Sequence, residues 1–410
     1  MEAYLLDWAN LLLRWLHVIV AIAWIGSSFY FVFLDNNLLA PTADDLKKKG
    51  VDGAMWAVHG GGFYNPQKYM SAPQGGIIDS KLHWFYWESY STWLSGFALF
   101  CVLYLWNANA FLIDRQVFDW SPLAAGAAAL AFLVVFWFIY DAICRVFGFR
   151  QHGERTVAVL LIVVVAAATW LACHLFSGRA AFLIIGAMLA TTMSANVFFW
   201  IIPGQRKVVA AMTGGQPYDP GSLAIHGKRG KQRSVHNTYF TLPVLIAMLS
   251  NHYSFLYSHS QRWVVLFMLM MAGALIRQFF VQRHGWHLGR ARNPWPFAAV
   301  GVVLLLGLIA WMRPAPSVGT ASTGAPAAQA AVGYAQLRPV LEQRCYSCHG
   351  EAVQMKNLRV DSEEQVTLHA QQIYQQVVVT KIMPLSNATQ ITDDERALVG
   401  RWFEAQSARK

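Results

Sequence analysis

The first 312 residues hold about eight apolar stretches of about 20 residues each, at 9–34, 84–106, 121–140, 156–176, 180–202, 237–257, 263–282 and 296–312. In hydrocarbon no water satisfies the backbone, so each stretch must pair its own N–H and C=O groups, which only a helix does within one segment. The expected fold is therefore all-α, a polytopic membrane helix bundle of about eight spans over 1–312. Hydrophobic residues at 56%, charged residues at 13% and a mean hydropathy of +0.34 agree with it. The first stretch lacks a basic leader and a small-residue cleavage site, and it carries Arg14 and His17. It reads as a retained span rather than a signal peptide.

After Trp311 the composition changes. Residues 313–333 open with Arg313-Pro314-Ala315-Pro316 and continue in Ala, Gly, Ser, Thr and Pro, a run that buries no core and reads as a tether. Residues 334–410 lie near the lower size limit for an independent domain, so a prosthetic group is expected to complete their core. Cys345-Tyr346-Ser347-Cys348-His349 identifies that group. Two thiols at this spacing add across the two vinyl groups of a haem while the adjoining histidine reaches the iron. Cys345 and Cys348 are thus expected to hold a covalent haem c with His349 as one axial ligand. Met383, just ahead of Pro384, is the expected opposite ligand, and Met355 competes with it. A thioether there raises the haem potential. Tyr334 to Arg344 reads as a helix leading to the cysteines, and Thr392-Asp393-Asp394-Glu395 as a capping box opening a last helix with Leu398, Val399 and Trp402 on its apolar stripe. The whole module resembles a class I cytochrome c.

Haem is attached to such motifs on the periplasmic side of bacterial membranes. An even number of spans then places the N-terminus in the periplasm with the cytochrome module. Basic residues test this orientation independently, because they accumulate in cytoplasmic loops. About 17 fall in predicted inner loops, among them Lys47, Lys48, Lys49, Arg145, Arg150, Arg206, Lys231 and Arg233, against Arg115, Arg179 and Arg262 outside. A bacterial inner-membrane location follows as the expectation. The net charge of +10 is accordingly an orientation signal and not a nucleic-acid footprint. Cys101, Cys144 and Cys173 sit in or beside separate stretches and read as small apolar fillers.

Ionisable groups inside spans are costly, so their depth is informative. His17, His174 and His252 all fall in the outer half, beneath the cytochrome module. Imidazoles on facing helices hold b-type haems, so a pair among these three is the candidate ligand set for a haem b. The alternative for each is an interfacial histidine bonded to a carbonyl. A second polar layer lies on the cytoplasmic side, with His83, Trp84, Trp87, Glu88, Asn196, His236, Asn237, Tyr239, Arg277 and Gln278. The long preceding loop adds His59-Gly60-Gly61-Gly62-Phe63-Tyr64, where three glycines permit close backbone approach to a flat ligand and the aromatic rings offer stacking faces. Arg277 is the preferred group for a planar anion, because guanidinium presents a fork of donors; snorkelling to the interface is its alternative.

Two strings are more specific than hydropathy. Val58-His59-Gly60-Gly61-Gly62-Phe63-Tyr64, with Gln67-Lys68-Tyr69 and the run from Leu82-His83-Trp84 through Trp87-Glu88 to Gly96-Phe97, resembles the bacterial membrane-bound urate oxidases fused to cytochrome c. Lys231-Gln232-Arg233-Ser234-Val235-His236-Asn237-Thr238-Tyr239 and Leu249-Ser250-Asn251-His252-Tyr253 follow the same pattern. The resemblance implies oxidation of urate with water to 5-hydroxyisourate, with electrons passing through haem and cytochrome c to a respiratory acceptor. Urate is a flat monoanion, and the attacking water needs a base within hydrogen-bond reach. Glu88, His83 and His236, in that order, are the candidate bases. Arg277, Gln278, His59, Tyr64, Trp84, Trp87, Asn237 and Tyr239 are the candidate binding groups. A membrane dehydrogenase for a quinol or another small molecule, and a transporter or redox sensor with a fused cytochrome, are the competing readings.

Overall fold

The computed structural model describes residues 2–69, 81–115, 117–213, 220–313, 332–351, 353–355, 358–379 and 381–407. It is mostly helical. The membrane-type part contains α1 (Glu2–Asn37), α2 (Asp44–Lys48), α3 (Trp87–Phe100), α4 (Ala108–Phe111), α5 (Pro122–Phe147), α6 (Gly153–Leu175), α7 (Gly178–Asn196), α8 (Ile202–Thr213), α9 (Pro220–Leu249), α10 (Ser254–Tyr257), α11 (Arg262–His287) and α12 (Trp295–Trp311). Helices cover all eight apolar stretches. Among the described residues, five continuous helical segments are long and apolar enough to cross a membrane: Tyr4–Asn37, Pro122–Phe147, Gly153–Leu175, Gly178–Thr213 and Arg262–His287.

The other three depart from the expected limits for identifiable reasons. The stretch at 84–106 begins as a helix only at Trp87, and its last turn, Cys101–Leu105, widens to π geometry. The stretch at 237–257 ends early: α9 stops at Leu249, a 3-10 turn covers Ser250–His252, and Asn251 turns to side-chain partners. The same helix starts earlier than expected, at Pro220, and its first half carries Lys228, Arg229, Lys231 and Arg233, which lower its hydropathy. The last helix, Trp295–Trp311, is 17 residues long.

Caps mark several helix starts. Ser121 accepts from the Ala124 N–H ahead of Pro122 in the first turn of α5, and Ser177 does the same for Ala180 in α7. Helices α1, α3, α7, α9 and α11 pack in that order and close a ring, because α11 returns to α1. Helices α5 and α6 cover α7 from outside the ring, and α12 lies on α11. At the α7–α9 crossing a Cβ on Gly186 would lie 2.9 Å from the Ala247 Cβ, so the glycine sets how closely the two helices approach. Leu12, Ile22, Phe138, Val163, Val303 and Ile309 point outward and exposed, as a hydrocarbon solvent requires.

The loop after α1 departs from the all-α expectation. It forms two small antiparallel sheets, β1 (Gly53–Ala54) with β4 (Gln67–Lys68), and β2 (Ala57–His59) with β3 (Gly62–Tyr64). Gly60 and Gly61 have φ of 58° and 79° and make the two-residue hairpin turn that needs positive φ at both positions. These glycines serve the turn; a Cβ on either would meet nothing within 4 Å, so no close approach requires them.

Residues 332–407 have their own apolar core around Leu337, Leu341, Val366, Val399 and a fully buried Trp402. It is built by α13 (Tyr334–Arg344), α14 (Tyr346–His349), α15 (Glu363–Leu368), α16 (Ala370–Tyr374), a π-helical turn at Gln375–Val379 and α17 (Asp393–Ser407). The expected capping box is present at α17: the Thr392 N–H donates to the Glu395 carboxylate at 2.7 Å, and the Glu395 N–H donates to the Thr392 hydroxyl at 3.2 Å. Apart from Arg313, Val332 and Gly333, the tether expected over 313–333 lies outside the described residues.

Candidate functional site

Within one half of the ring lies a cavity of about 400 Å³, lined mostly by apolar side chains of α1, α3, α7 and α9. Its polar groups are few and placed. His17 Nδ1 lies 3.1 Å from the Thr92 carbonyl and 3.0 Å from the Ser95 hydroxyl. A carbonyl only accepts, and Ser95 already gives its hydroxyl hydrogen to backbone oxygens at 2.7 and 3.1 Å. His17 therefore carries its proton on Nδ1, which leaves Nε2 as a bare lone pair. Gly96 makes room for the ring: a Cβ there would sit 2.8 Å from His17 Cε1. His252 lines the same cavity, as do Arg14 and Arg179. Arg14 is steadied by the Asn10 side chain at 3.0 Å, and Arg179 donates to the Asn251 side-chain carbonyl at 3.0 Å.

His174 is elsewhere. It is exposed, its Nδ1 bonds the Trp170 carbonyl at 2.7 Å, and its ring packs 4.4 Å from Trp170. Of the three outer histidines the fold brings together His17 and His252. A neutral imidazole with a free Nε2, a second histidine and two guanidinium groups in one apolar cavity fit a haem b with carboxylate side chains. Asn10 four residues before Arg14 was a local signal for that pair, whereas Arg179 meets Asn251 only through the fold.

On the other half of the ring, Arg277 is buried at 1% exposure with its guanidinium 3.8 Å from the Phe29 ring. Its Nε and one terminal nitrogen have no hydrogen-bond partner, and no acidic side chain pairs with it among the described residues. Tyr239 lies close enough to interact with it and donates a very short hydrogen bond to the Gln278 side-chain carbonyl. Two further buried acceptors on ring helices lack a donor, Glu88 Oε2 on α3 and Asn196 Oδ1 on α7. Buried polar atoms without partners are uncommon, so each is a candidate contact for a water or a bound group.

The remaining predicted groups are distributed differently. His83 is exposed and packs edge-on against Phe85 at 4.5 Å. Trp84 lies 6.0 Å beneath Arg206, and Trp87 is exposed. His59 and Tyr64 stand on the exposed β2–β3 hairpin. Asn237 donates to the Met193 carbonyl at 3.0 Å, and His236 Nδ1 meets the Tyr140 hydroxyl at 2.9 Å.

Sequence reasoning missed the groups around that last pair. Arg233, expected as a loop charge, is buried at 3% exposure and bonds Asp141 at 2.7 Å, while its guanidinium lies over Tyr140 and Trp200. Arg145 and the Trp200 indole N–H complete the shell of Asp141. The signal was Asp141 itself, an acid at the end of an apolar stretch with an arginine four residues later.

In the C-terminal module, His349 Nδ1 lies 3.3 Å from the Leu358 carbonyl, so its Nε2 is the free nitrogen. Met383 and Cys345 both pack against the apolar core, whereas Met355 is 47% exposed. Two free thiols, a histidine with an oriented ring and a core-facing methionine fit haem c. The module is fastened by Arg344, which grips Glu395 at 3.0 and 3.1 Å. Burial alone would raise the Glu395 carboxyl, but the Thr392 N–H and Arg344 outweigh it and hold it below the usual carboxylate range. Lys381 beside Asp393 likewise holds that carboxyl low.

No curated protein and no solved structure matches the chain. A sequence profile does, and it runs over residues 3–313, through both polar layers of the helix bundle. The match suggests an oxidoreductase that acts on urate. The chain belongs to the Urate oxidase N-terminal family.

Proposed function

We propose that the chain oxidises urate with water and exports the electrons through haem to a respiratory acceptor. The balanced reaction joins water oxygen to C5 of the urate monoanion, yields the 5-hydroxyisourate monoanion, and releases two protons and two electrons. The observation that carries this reading is Arg277, a buried cation with unmatched donors and no acidic partner among the described residues. A buried ion without a partner is strongly destabilising, and a planar anion offering two acceptors supplies the missing partner.

In this reading Arg277 binds the urate anion, with Phe29 covering one side of the guanidinium and Tyr239 and Gln278 orienting the ring. Glu88, whose Oε2 is buried without a donor, takes the proton of the attacking water. It is better suited than His236, which is engaged by Tyr140, or His83, which is exposed. His17 and His252 would hold a haem b, with Arg14 and Arg179 facing its carboxylates. Cys345, Cys348, His349 and Met383 would hold haem c. When bound, these groups supply one-electron carriers that couple a two-electron oxidation to respiration.

The eight helices span the bacterial inner membrane with the N-terminus and the cytochrome module in the periplasm, so the Arg277 layer opens toward the cytoplasm. The test is a reduced-minus-oxidised spectrum of the purified protein with urate as sole reductant. Appearance of c- and b-type bands together with loss of urate absorbance supports the reading. Bands that respond only to a quinol overturn it.

A further inference from the structure

We infer that Tyr140, His236 and Glu154 form the outlet by which protons of the oxidation leave toward the cytoplasmic face. The inference rests on the urate reading, because that reaction must dispose of two protons.

One backbone group sets the sense of the whole chain. The Met193 carbonyl can only accept, so the Asn237 Nδ2 at 3.0 Å donates to it and the Asn237 Oδ1 points the other way. That oxygen needs a donor, which Asn196 Nδ2 supplies at 3.0 Å. The second hydrogen of the same nitrogen goes to the Tyr140 oxygen at 2.9 Å. Tyr140 is fully buried, so its own hydrogen must find an acceptor, and His236 Nδ1 lies at 2.9 Å. His236 is then protonated on Nε2, and Nε2 faces the Glu154 carboxylate at 4.0 Å. Glu154 is 69% exposed at the first turn of α6, and Gln232 steadies its other oxygen at 3.2 Å.

The path thus runs outward from α7, a helix of the ring, through α5 and α9 to solvent beside α6. Its inner end is Asn196, the same residue whose Oδ1 is buried without a donor. A proton bound at the open Asn196 Oδ1 lets Asn196 Nδ2 pass one hydrogen to the Tyr140 oxygen, which releases its hydroxyl proton to His236 Nδ1; Asn196 is left as its imidic tautomer and returns to the amide when the relay resets. The ring then gives its Nε2 proton to Glu154, which passes it to water. Only O–H and N–H bonds form and break, and no electron moves. The 4.0 Å gap is closed by rotation of the exposed carboxylate or by one water. The charged groups around the path are Arg233, paired with Asp141 and stacked on Tyr140, and Glu154 itself; Cys144 Sγ lies 3.7 Å from His236 Nδ1.

The experiment uses the purified full-length holoprotein with urate and ferricyanide, comparing turnover in H2O and D2O across pH. Tyr140→Phe keeps the ring packing but removes the relay proton, and Glu154→Gln alters only an exposed side chain. Both are expected to lower kcat on the order of tenfold at unchanged KM and to raise the solvent isotope effect. Wild-type kcat and isotope effect in Glu154→Gln and Tyr140→Phe overturn the outlet and leave the urate reading standing. A lowered kcat with an unchanged isotope effect also overturns it, since that is the mark of a packing role. A wild-type protein that leaves urate unchanged overturns the urate reading and the outlet with it.

Discussion

The Arg277 guanidinium lies 3.8 Å from the centroid of the Phe29 ring, and two of its nitrogens meet no acceptor. A ring face attracts a cation by about 2 kcal/mol when desolvated, which is less than the cost of burying the charge. The Phe29 contact therefore leaves part of that cost uncompensated, which the proposed anion site would relieve.

Arg277→Lys keeps the charge but loses the planar fork, so KM for urate is expected to rise about tenfold, or about 1.4 kcal/mol. Arg277→Met removes an unpaired buried charge. It is expected to melt no lower than wild type without urate and to lose the stabilisation that urate confers. Thermal unfolding with and without urate measures both; a large drop in the ligand-free melting temperature would show that the charge is already satisfied.

Haem b ligation is separable by spectrum. His17→Ala and His252→Ala are expected to abolish the b-type band while the c-type band persists. His174→Ala leaves both, because His174 is bonded to Trp170 outside the cavity. Gly96→Val is expected to perturb the b-type band while both histidines are retained, since its Cβ falls 2.8 Å from His17 Cε1 and displaces that ring.

On the proposed haem c site of the C-terminal module, Cys348→Ala is expected to abolish the haem c spectrum and stop electron export. Normal reduction of an external acceptor by that variant refutes the route. Met383→Ala lowers the haem c potential measured by redox titration, and Met355→Ala leaves it within error, because Met383 packs on the module core and Met355 does not.

Acid sensitivity of the module follows from Glu395 and Asp393. Both titrate lower in the folded module than in the unfolded chain. Their contribution is complete above about pH 4, near the unfolded values, and is lost as pH falls through the lower folded ones. Glu395→Gln is expected to flatten this acid limb, followed by haem c absorbance in the full-length protein. Lys381→Ala has a smaller effect, because the Lys381–Asp393 pair is solvent-exposed and screened.

The residues that carry local rules were legible in the chain. Apolar runs of bilayer length had to be helices, and Thr392 with Glu395 had to cap α17. Each of these depends on neighbours a few positions away. Position along each apolar stretch also grouped His17 with His252, which line one cavity, and Tyr239 with Arg277 and Gln278, which lie together on α9 and α11. Depth says nothing about which way a side chain faces around its helix. Facing separated His174 from His17, carried Arg233 from the loops into the bundle against Asp141, and joined Tyr140, His236 and Glu154 from three helices. It also turned Gly60 and Gly61 into a hairpin tip. Those outcomes depend on which helices close the ring and on the rotation each adopts, and both are set by packing between residues up to about 250 positions apart, as Asn36 and Val281 show.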